Sequence, residues 1–480
     1  MYKLKDLNPQ RVFEYFEEIS AIPRGSGNMK AISDYCQSFA EKHSLTYYRD
    51  ETDNVIIRKT ASKGYENAEP VILQGHLDMV CQKEAGLEKD FLRDAIDIFI
   101  DGDFIKAKGT TLGADNGIAV AMVLAVLERD DIKHPEIEAV FTTDEETGMI
   151  GARKLDLSIL KAKKMINLDS EEEDVLTVSC AGGSDFRVEL PIKWENKNGS
   201  KIKVVLKGLK GGHSGVEIDK GRVNADILAG RFLNYMEELC DFSIVSINGG
   251  SKPNVIPNLC EIELCTQNPD NFIKIAEEYL NTVSTEIKER EQSFSAEISV
   301  LGQGEYPVFD DKTQKDLIFA LCCTANGVME MSAEIEGLVE TSLNLGILET
   351  NRNEVILHHA LRSNKSSALK ALDDRLKRFY SFSDFKYESF GFYPPWEFKE
   401  NSSLKELYKK VYSKLTGKEI NVEAIHAGLE CGIFAAGIPD IDCIAIGPQL
   451  FDVHTVNERL SISSTKLIYE LLLKILEELQ

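Results

Sequence analysis

The chain has 480 residues, 43% of them hydrophobic and 28% charged, with 13 prolines. That composition supplies more than one buried core and excludes a disordered or fibrous protein. Its 55 Lys and Arg against 79 Asp and Glu leave a net charge of −24, which repels phosphate backbones and anionic lipid, so neither nucleic acid nor a membrane surface is an expected partner.

The longest uninterrupted apolar run, Ile118 to Leu127, is half a membrane span, and Met1 to Arg11 carries charges instead of a signal-like apolar stretch. A cytoplasmic chain with reduced thiols is therefore expected, since the ten cysteines include no C-x-x-C pair.

In chain order, the Gly25-Ser26-Gly27-Asn28 turn predicts a helix from Lys30 to His43 with Asn28 as its N-cap. Asn54 to Lys59 and Pro70 to Val80 are β-rich, and the second run is apolar until Gly75 and His76, as in an interior strand covered on both faces. Leu112 to Gly117 is a tight turn opening into the helix Ile118 to Leu127, apolar on nearly all sides and so buried. Two more interior strands, Ile137 to Thr143 and Lys164 to Asp169, each run into carboxylates. Strands alternating with helices predict an α/β domain with a mostly parallel sheet, whose ligands lie beyond the strand C-termini.

From about Cys180 the texture becomes amphipathic: Phe186 to Leu190, Lys201 to Leu206, a helix from Asn224 to Leu239, and a strand group from Ser243 to Leu264. A weak echo of that order between Asn271 and Phe379 suggests an inserted α+β domain of two similar halves. After Pro394-Pro395 the α/β pattern resumes with a helix Ser402 to Leu415, a strand Cys443 to Ile446 and a helix Ser464 to Leu479. The expected division is residues 1–180 and 398–480 for one domain and 181–397 for the insertion.

His76 and Asp78 fall two apart on one side of a strand, where the carboxylate can hold the second ring nitrogen of a metal-ligating imidazole. Alone, such a pair is most often ordinary hydrogen bonding. With Asp115, Glu145, Glu146 and Asp169 at strand ends or in a Gly-rich turn, and His454 in Phe451 to Thr455, it completes a mixed imidazole and carboxylate set suited to two close divalent metals, foremost zinc. The run Glu171 to Asp174 reads instead as solvated charge.

The segments GHLDMV, GADNG, TTDEETGMIGA, NLDSEE and HTVNERLSI, in this order, resemble the motif series of the M20 family of dinuclear zinc peptidases, and within it the aminoacyl-histidine (Xaa-His) dipeptidases. The resemblance runs nearly the whole length and includes the long insertion, which makes it a zinc-peptidase-like catalytic domain with a lid. It implies that Asp115 bridges two zinc ions, that His76 and Asp169 complete one site and Glu146 and His454 the other, and that Asp78 buttresses His76. It assigns Glu145 as general base, a choice between adjacent glutamates that residue spacing leaves open, and it implies a non-proline cis peptide after Asp115. Cobalt or manganese would suit the same donors.

In the insertion, the resemblance implies that His213, in Gly211 to Gly215, stabilises an oxyanion, from its own chain or from a partner subunit. It implies that Arg362 clamps the terminal carboxylate of a small peptide substrate, for which a structural ion pair on a strand is the competing reading, and that Asn254 contacts substrate. His426 and Glu430 show an i,i+4 spacing outside the filled metal set and read as substrate-pocket or packing residues. A monomer and a homodimer are both compatible with the sequence. The implied activity is hydrolysis of Xaa-His dipeptides, with a tripeptidase, a broad dipeptidase or an N-acyl amino acid deacylase as neighbouring activities and a peptide-binding protein without turnover as the reading from another class.

Overall fold

The computed structural model describes residues 3–480. The chain forms two compact units: the first holds the residues up to Cys180, Phe398–Ala424 and Leu429–Gln480, and the second holds Ala181–Glu397 and Ile425–Gly428. Among the described residues no helix is long and apolar enough to cross a membrane.

In the first unit the strands β1 (Val71–His76), β2 (Ile137–Thr142) and β3 (Lys164–Asn167) lie side by side in the order β2-β1-β3, and the strand Asp442–Ala445 adds beyond β3. All four run parallel. Antiparallel strands close the margins: Val55–Lys59 beside β2, and Val175–Cys180 beside Asp442–Ala445. Every residue of β1 and β2 is buried, as their nearly continuous apolar runs require when both sheet faces are covered. Helix α1 (Ala114–Glu128) covers one face, and its residues from Ile118 to Leu127 are at most 1% exposed. The parallel arrangement matters to function because it puts the C-terminal ends of β1, β2 and β3 at one edge. One local expectation fails: the helix beginning at Lys30 has Met29 at its N-cap, and the Asn28 side chain donates instead to the Pro23 carbonyl at 3.4 Å.

The second unit is a sheet built from two copies of one pattern. The strands β4 (Gly182–Pro191), β5 (Trp194–Lys207), β6 (Ser243–Gly250), β7 (Cys260–Thr266), β8 (Ser295–Phe309), β9 (Val339–Thr350), β10 (Glu354–Ser363) and β11 (Lys386–Tyr393) lie in the order β8-β5-β7-β6-β9-β10-β4-β11. The helices are α2 (Ala225–Glu237), α3 (Pro269–Ile287), α4 (Asp311–Cys323) and α5 (Ser366–Tyr380). Thus β5-α2-β6-β7-α3-β8 and β4-α4-β9-β10-α5-β11 are each a strand-helix-strand-strand-helix-strand unit with the same strand order, joined edge to edge through β6 and β9. The halves are interleaved in the chain: β4 precedes the whole first copy yet pairs with β10 and β11 of the second. Their apolar faces bury one shared core that includes Phe186, Phe232, Phe272 and Tyr380.

Candidate active site

The C-terminal ends of the parallel strands present the chemistry. His76 ends β1, Glu145 and Glu146 follow β2, and Asp169 follows β3, so the register that pairs these strands also converges their side chains. Asp115 comes from the turn that opens α1, with a cis peptide bond between Asp115 and Asn116. His454 arrives from the far end of the chain, on a loop between the short strands Leu450–Phe451 and Arg459–Ser461, the second of which pairs with Phe104–Ala107.

Asp115 sits at the centre. Its Oδ1 lies 3.1 Å from His76 Nε2 and its Oδ2 lies 3.0 Å from His454 Nε2. Glu146 Oε1 is also 3.0 Å from His454 Nε2, and Asp169 Oδ1 is 3.5 Å from His76 Nε2. One donor atom each from His76, Asp115 and Glu146 lie within 4.8 Å of one another. Burial alone would lower His76, yet Asp169, Asp115 and Asp78 outweigh it and hold the ring well above its ordinary value. Hydrogen bonds to Asp115 and Glu146 raise His454 to about 11. Such a convergence of anionic donors around two imidazoles favours positive charge and fits a pair of divalent cations.

The surrounding bonds orient these donors. Asp78 Oδ1 is 3.3 Å from His76 Nδ1. Its carboxylate also accepts the backbone N–H groups of Glu145 and Glu146 at 3.0 and 3.2 Å and the Ser26 hydroxyl at 2.8 Å. Asn116 accepts the His76 N–H at 3.2 Å and donates to the Leu168 carbonyl at 2.8 Å, tying β1 to the segment that carries Asp169. The Arg24 guanidinium, 1% exposed, donates to the carbonyls of Leu77, Asp78 and Gly113. The sequence reading assigned no role to Arg24, Asn116 or Ser26; Asn116 lies inside a motif it quoted.

Among the described residues no cation is hydrogen-bonded to Glu145. Burial, with Asp169, Glu430 and Glu146 adding, raises its carboxyl well above the ordinary value, the direction a group needs to accept a proton near neutral pH and return it. Glu430 is fully buried and accepts hydrogen bonds from Gln74 and, at 2.6 Å, from Thr142. It underlies the site from the first unit. His426 belongs to the second unit, and the helix that follows starts only at Cys431, so the two do not share a helical face. Both His426 ring nitrogens are engaged, Nε2 with Ser342 at 2.7 Å and Nδ1 with Asn364 at 3.0 Å.

Within the second unit, His213 Nδ1 accepts the backbone N–H groups of Gly215 and Val216, both at 3.3 Å. Those two donors select the neutral tautomer with its proton on Nε2. Burial, together with the Arg362 charge, lowers the ring to about 4, so it stays neutral at physiological pH. Arg362, on β10, is 8% exposed and pairs with no carboxylate among the described residues, its Nη1 donating instead to the Tyr393 hydroxyl at 3.1 Å while Nε has no partner. It lines a cavity of about 250 Å³ with Asp185, Asn254 and Tyr393. The Asn254 segment is held by Asn344, whose amide donates to the carbonyls of Pro253 and Val255.

An imidazole and carboxylate cluster at the C-terminal edge of a parallel sheet, joined in one chain to a second α+β unit, defines a metal-dependent hydrolase. The chain matches the model of Peptidase family M20/M25/M40 over residues 72–478. It is 36% identical to the cytosol non-specific dipeptidase of Escherichia coli (strain K12) over 483 residues, covering 100% of this chain and 99% of that one. The crystal structure of aminoacylhistidine dipeptidase from Vibrio alginolyticus superposes with a TM-score of 0.90 at 36% identity, covering 99% and 98% of the two chains. Human carnosine dipeptidase 1, at 13% identity and a TM-score of 0.52 over 98% and 95%, shares the fold. The chain belongs to peptidase family M20.

Proposed function

We propose that this chain is a cytoplasmic dipeptidase that holds two zinc ions and cleaves Xaa-His dipeptides. The observation that carries the reading is Asp115, whose two oxygens each face a different histidine, as a carboxylate shared between two cations must. His76 and Asp169 would complete one site and Glu146 and His454 the other. The donors are nitrogen and oxygen without thiolate, which suits zinc and admits cobalt or manganese. The Xaa-His preference rests on the name of the Vibrio alginolyticus relative and the overall likeness to it, the Escherichia coli relative being named non-specific.

Two cations in this position supply Lewis acidity to a scissile carbonyl and acidify water. The protein's own groups do the rest. Asp78 lies beside the His76 ring and, by accepting two backbone N–H groups, fixes the turn that carries Glu145 and Glu146. Glu145 takes the proton from the attacking water and delivers it to the departing amine, a transfer its raised affinity for protons favours. His213, neutral and protonated at Nε2, is suited to donate to the developing oxyanion. The buried Arg362 guanidinium, which pairs with no carboxylate among the described residues, is suited to the terminal carboxylate of a short peptide. His426 and Glu430 act as supports, since the bonds they make are internal.

Zinc-loaded protein incubated with Xaa-His dipeptides, tripeptides and N-acetyl amino acids, wild type beside Glu145→Gln, tests the proposal. Dipeptide cleavage that falls by several orders of magnitude in Glu145→Gln, with metal content retained, is the expected result. Preferential cleavage of tripeptides or acyl substrates would overturn the substrate class, and full activity in Glu145→Gln would overturn the base.

A further inference from the structure

We infer that Glu458 is a positioning residue that sets the geometry of one half of the metal pair by locking the His454 loop onto the Asp115 turn. The inference rests on the two-cation reading given above. The helix α1 has no cap from its own sequence: its N-cap is Gly113, which lacks a side chain. The missing acceptor comes instead from the other end of the chain. Glu458 Oε2 accepts the N–H groups of Leu112 and Gly113 at 2.7 and 3.0 Å, and Oε1 accepts those of Ala114 and Asp115 at 2.8 and 3.3 Å. Leu112 precedes the N-cap, Gly113 is the N-cap, and Asp115 has a non-helical backbone, so the carboxylate binds the amides of the turn that leads into the helix, where an anion meets its positive end.

The loop around His454 has little else to hold it. Phe451, Asp452, His454, Thr455 and Asn457 are exposed, whereas Glu458 is 3% exposed. Apart from the His454 ring, which meets Asp115 and Glu146, and Val453, which packs against the core, the loop's bonds are local ones, such as Thr455 Oγ1 to the Asp452 carbonyl at 2.7 Å and the Arg459–Asp452 pair. The Asp115 turn, by contrast, is held independently by Asn116 and by Arg24. Removing the Glu458 bonds therefore releases His454 while leaving Asp115, His76 and Asp169 in place. Glutamine is the sharp substitution, because its NH₂ would face two N–H donors that now meet an oxygen. Aspartate keeps the charge but retracts it by one methylene.

Zn²⁺ alone is titrated calorimetrically into metal-free wild type, Glu458→Gln, Glu458→Asp, His454→Ala, His76→Ala and the Glu458→Gln/His454→Ala double variant, with near-UV circular dichroism reporting the fold. Wild type should take up two equivalents. Glu458→Gln should keep one near wild-type affinity and weaken the other roughly 10–100-fold, the range for residues that orient metal ligands. It should resemble His454→Ala rather than His76→Ala, and it should add nothing in the double variant. Aspartate should fall between, and it decides the matter if the glutamine variant does not fold. Wild-type affinities in both Glu458 variants, or equal loss of both equivalents, would overturn the inference. Wild type that takes up no zinc would instead remove the metal reading itself, and this inference with it.

Discussion

The Asp78 carboxylate accepts the backbone N–H of Glu145 at 3.0 Å, so a residue two positions beyond the end of β1 dictates the path of the turn after β2. The same group lies 3.3 Å from His76 Nδ1 and accepts the Glu146 N–H. One side chain thereby couples a metal-ligand candidate to both carboxylates of the neighbouring turn.

Asp78→Asn should lower zinc affinity and kcat together, each roughly 10–100-fold, because the new amide can satisfy only part of this arrangement. KM should change less. Parallel zinc titration and steady-state kinetics check this, and a variant with wild-type values for both would remove Asp78 from the mechanism.

Arg362→Ala should raise KM for a dipeptide by roughly 10–100-fold, the loss of a charge-assisted contact of about 1.5–3 kcal/mol. The corresponding dipeptide amide, which lacks the carboxylate, should lose almost nothing. Equal losses on the two substrates would show that Arg362 supports the fold rather than the substrate.

Acid sensitivity should reside in three histidines of the second unit, one of them His213, which is lowered to about 4. Burial lowers His359, whose Nε2 lies 3.0 Å from the Tyr380 hydroxyl, to about 3, and burial with the charge of Arg362 lowers His426 to about 3. An unfolded histidine titrates near 6.5, so below that pH the unfolded chain binds protons that the folded one refuses. The stability is present above about pH 6.5 and drains away as pH falls towards 3, with each ring costing about 1 kcal/mol at pH 5.5. In urea unfolding, His359→Gln should reduce the loss between pH 7.5 and 5.5 by about that amount, and an unchanged loss would contradict the assignment.

The parallel core was legible because strands covered on both faces are written as nearly continuous apolar runs, and the run from Val71, broken only by Gln74, ends at His76. The carboxylates at the ends of such strands pointed to a site for the same reason. Arg24 was not legible: a lone arginine in Pro23-Arg24-Gly25 announces nothing, and its partners are backbone carbonyls, which every sequence has. Glu458 was equally silent, since its four bonds are to amides more than three hundred residues away. The spacing of His426 and Glu430 suggested one helical face, but the backbone there is not yet helical. The second unit showed an echo of two halves without their interleaving, because the pairing of β4 with β10 leaves no periodicity in either segment.

The strand Asp442–Ala445 pairs with β3 on one side and with Val175–Cys180 on the other. On the ribosome, the neighbours of that strand emerge early and must wait while the entire intervening unit is made, leaving a gap in mid-sheet. The sheet can close only after the second unit has been made, with His454 following nine residues behind the last of its strands, so on the two-cation reading a nascent chain lacks a complete site until that stretch has emerged.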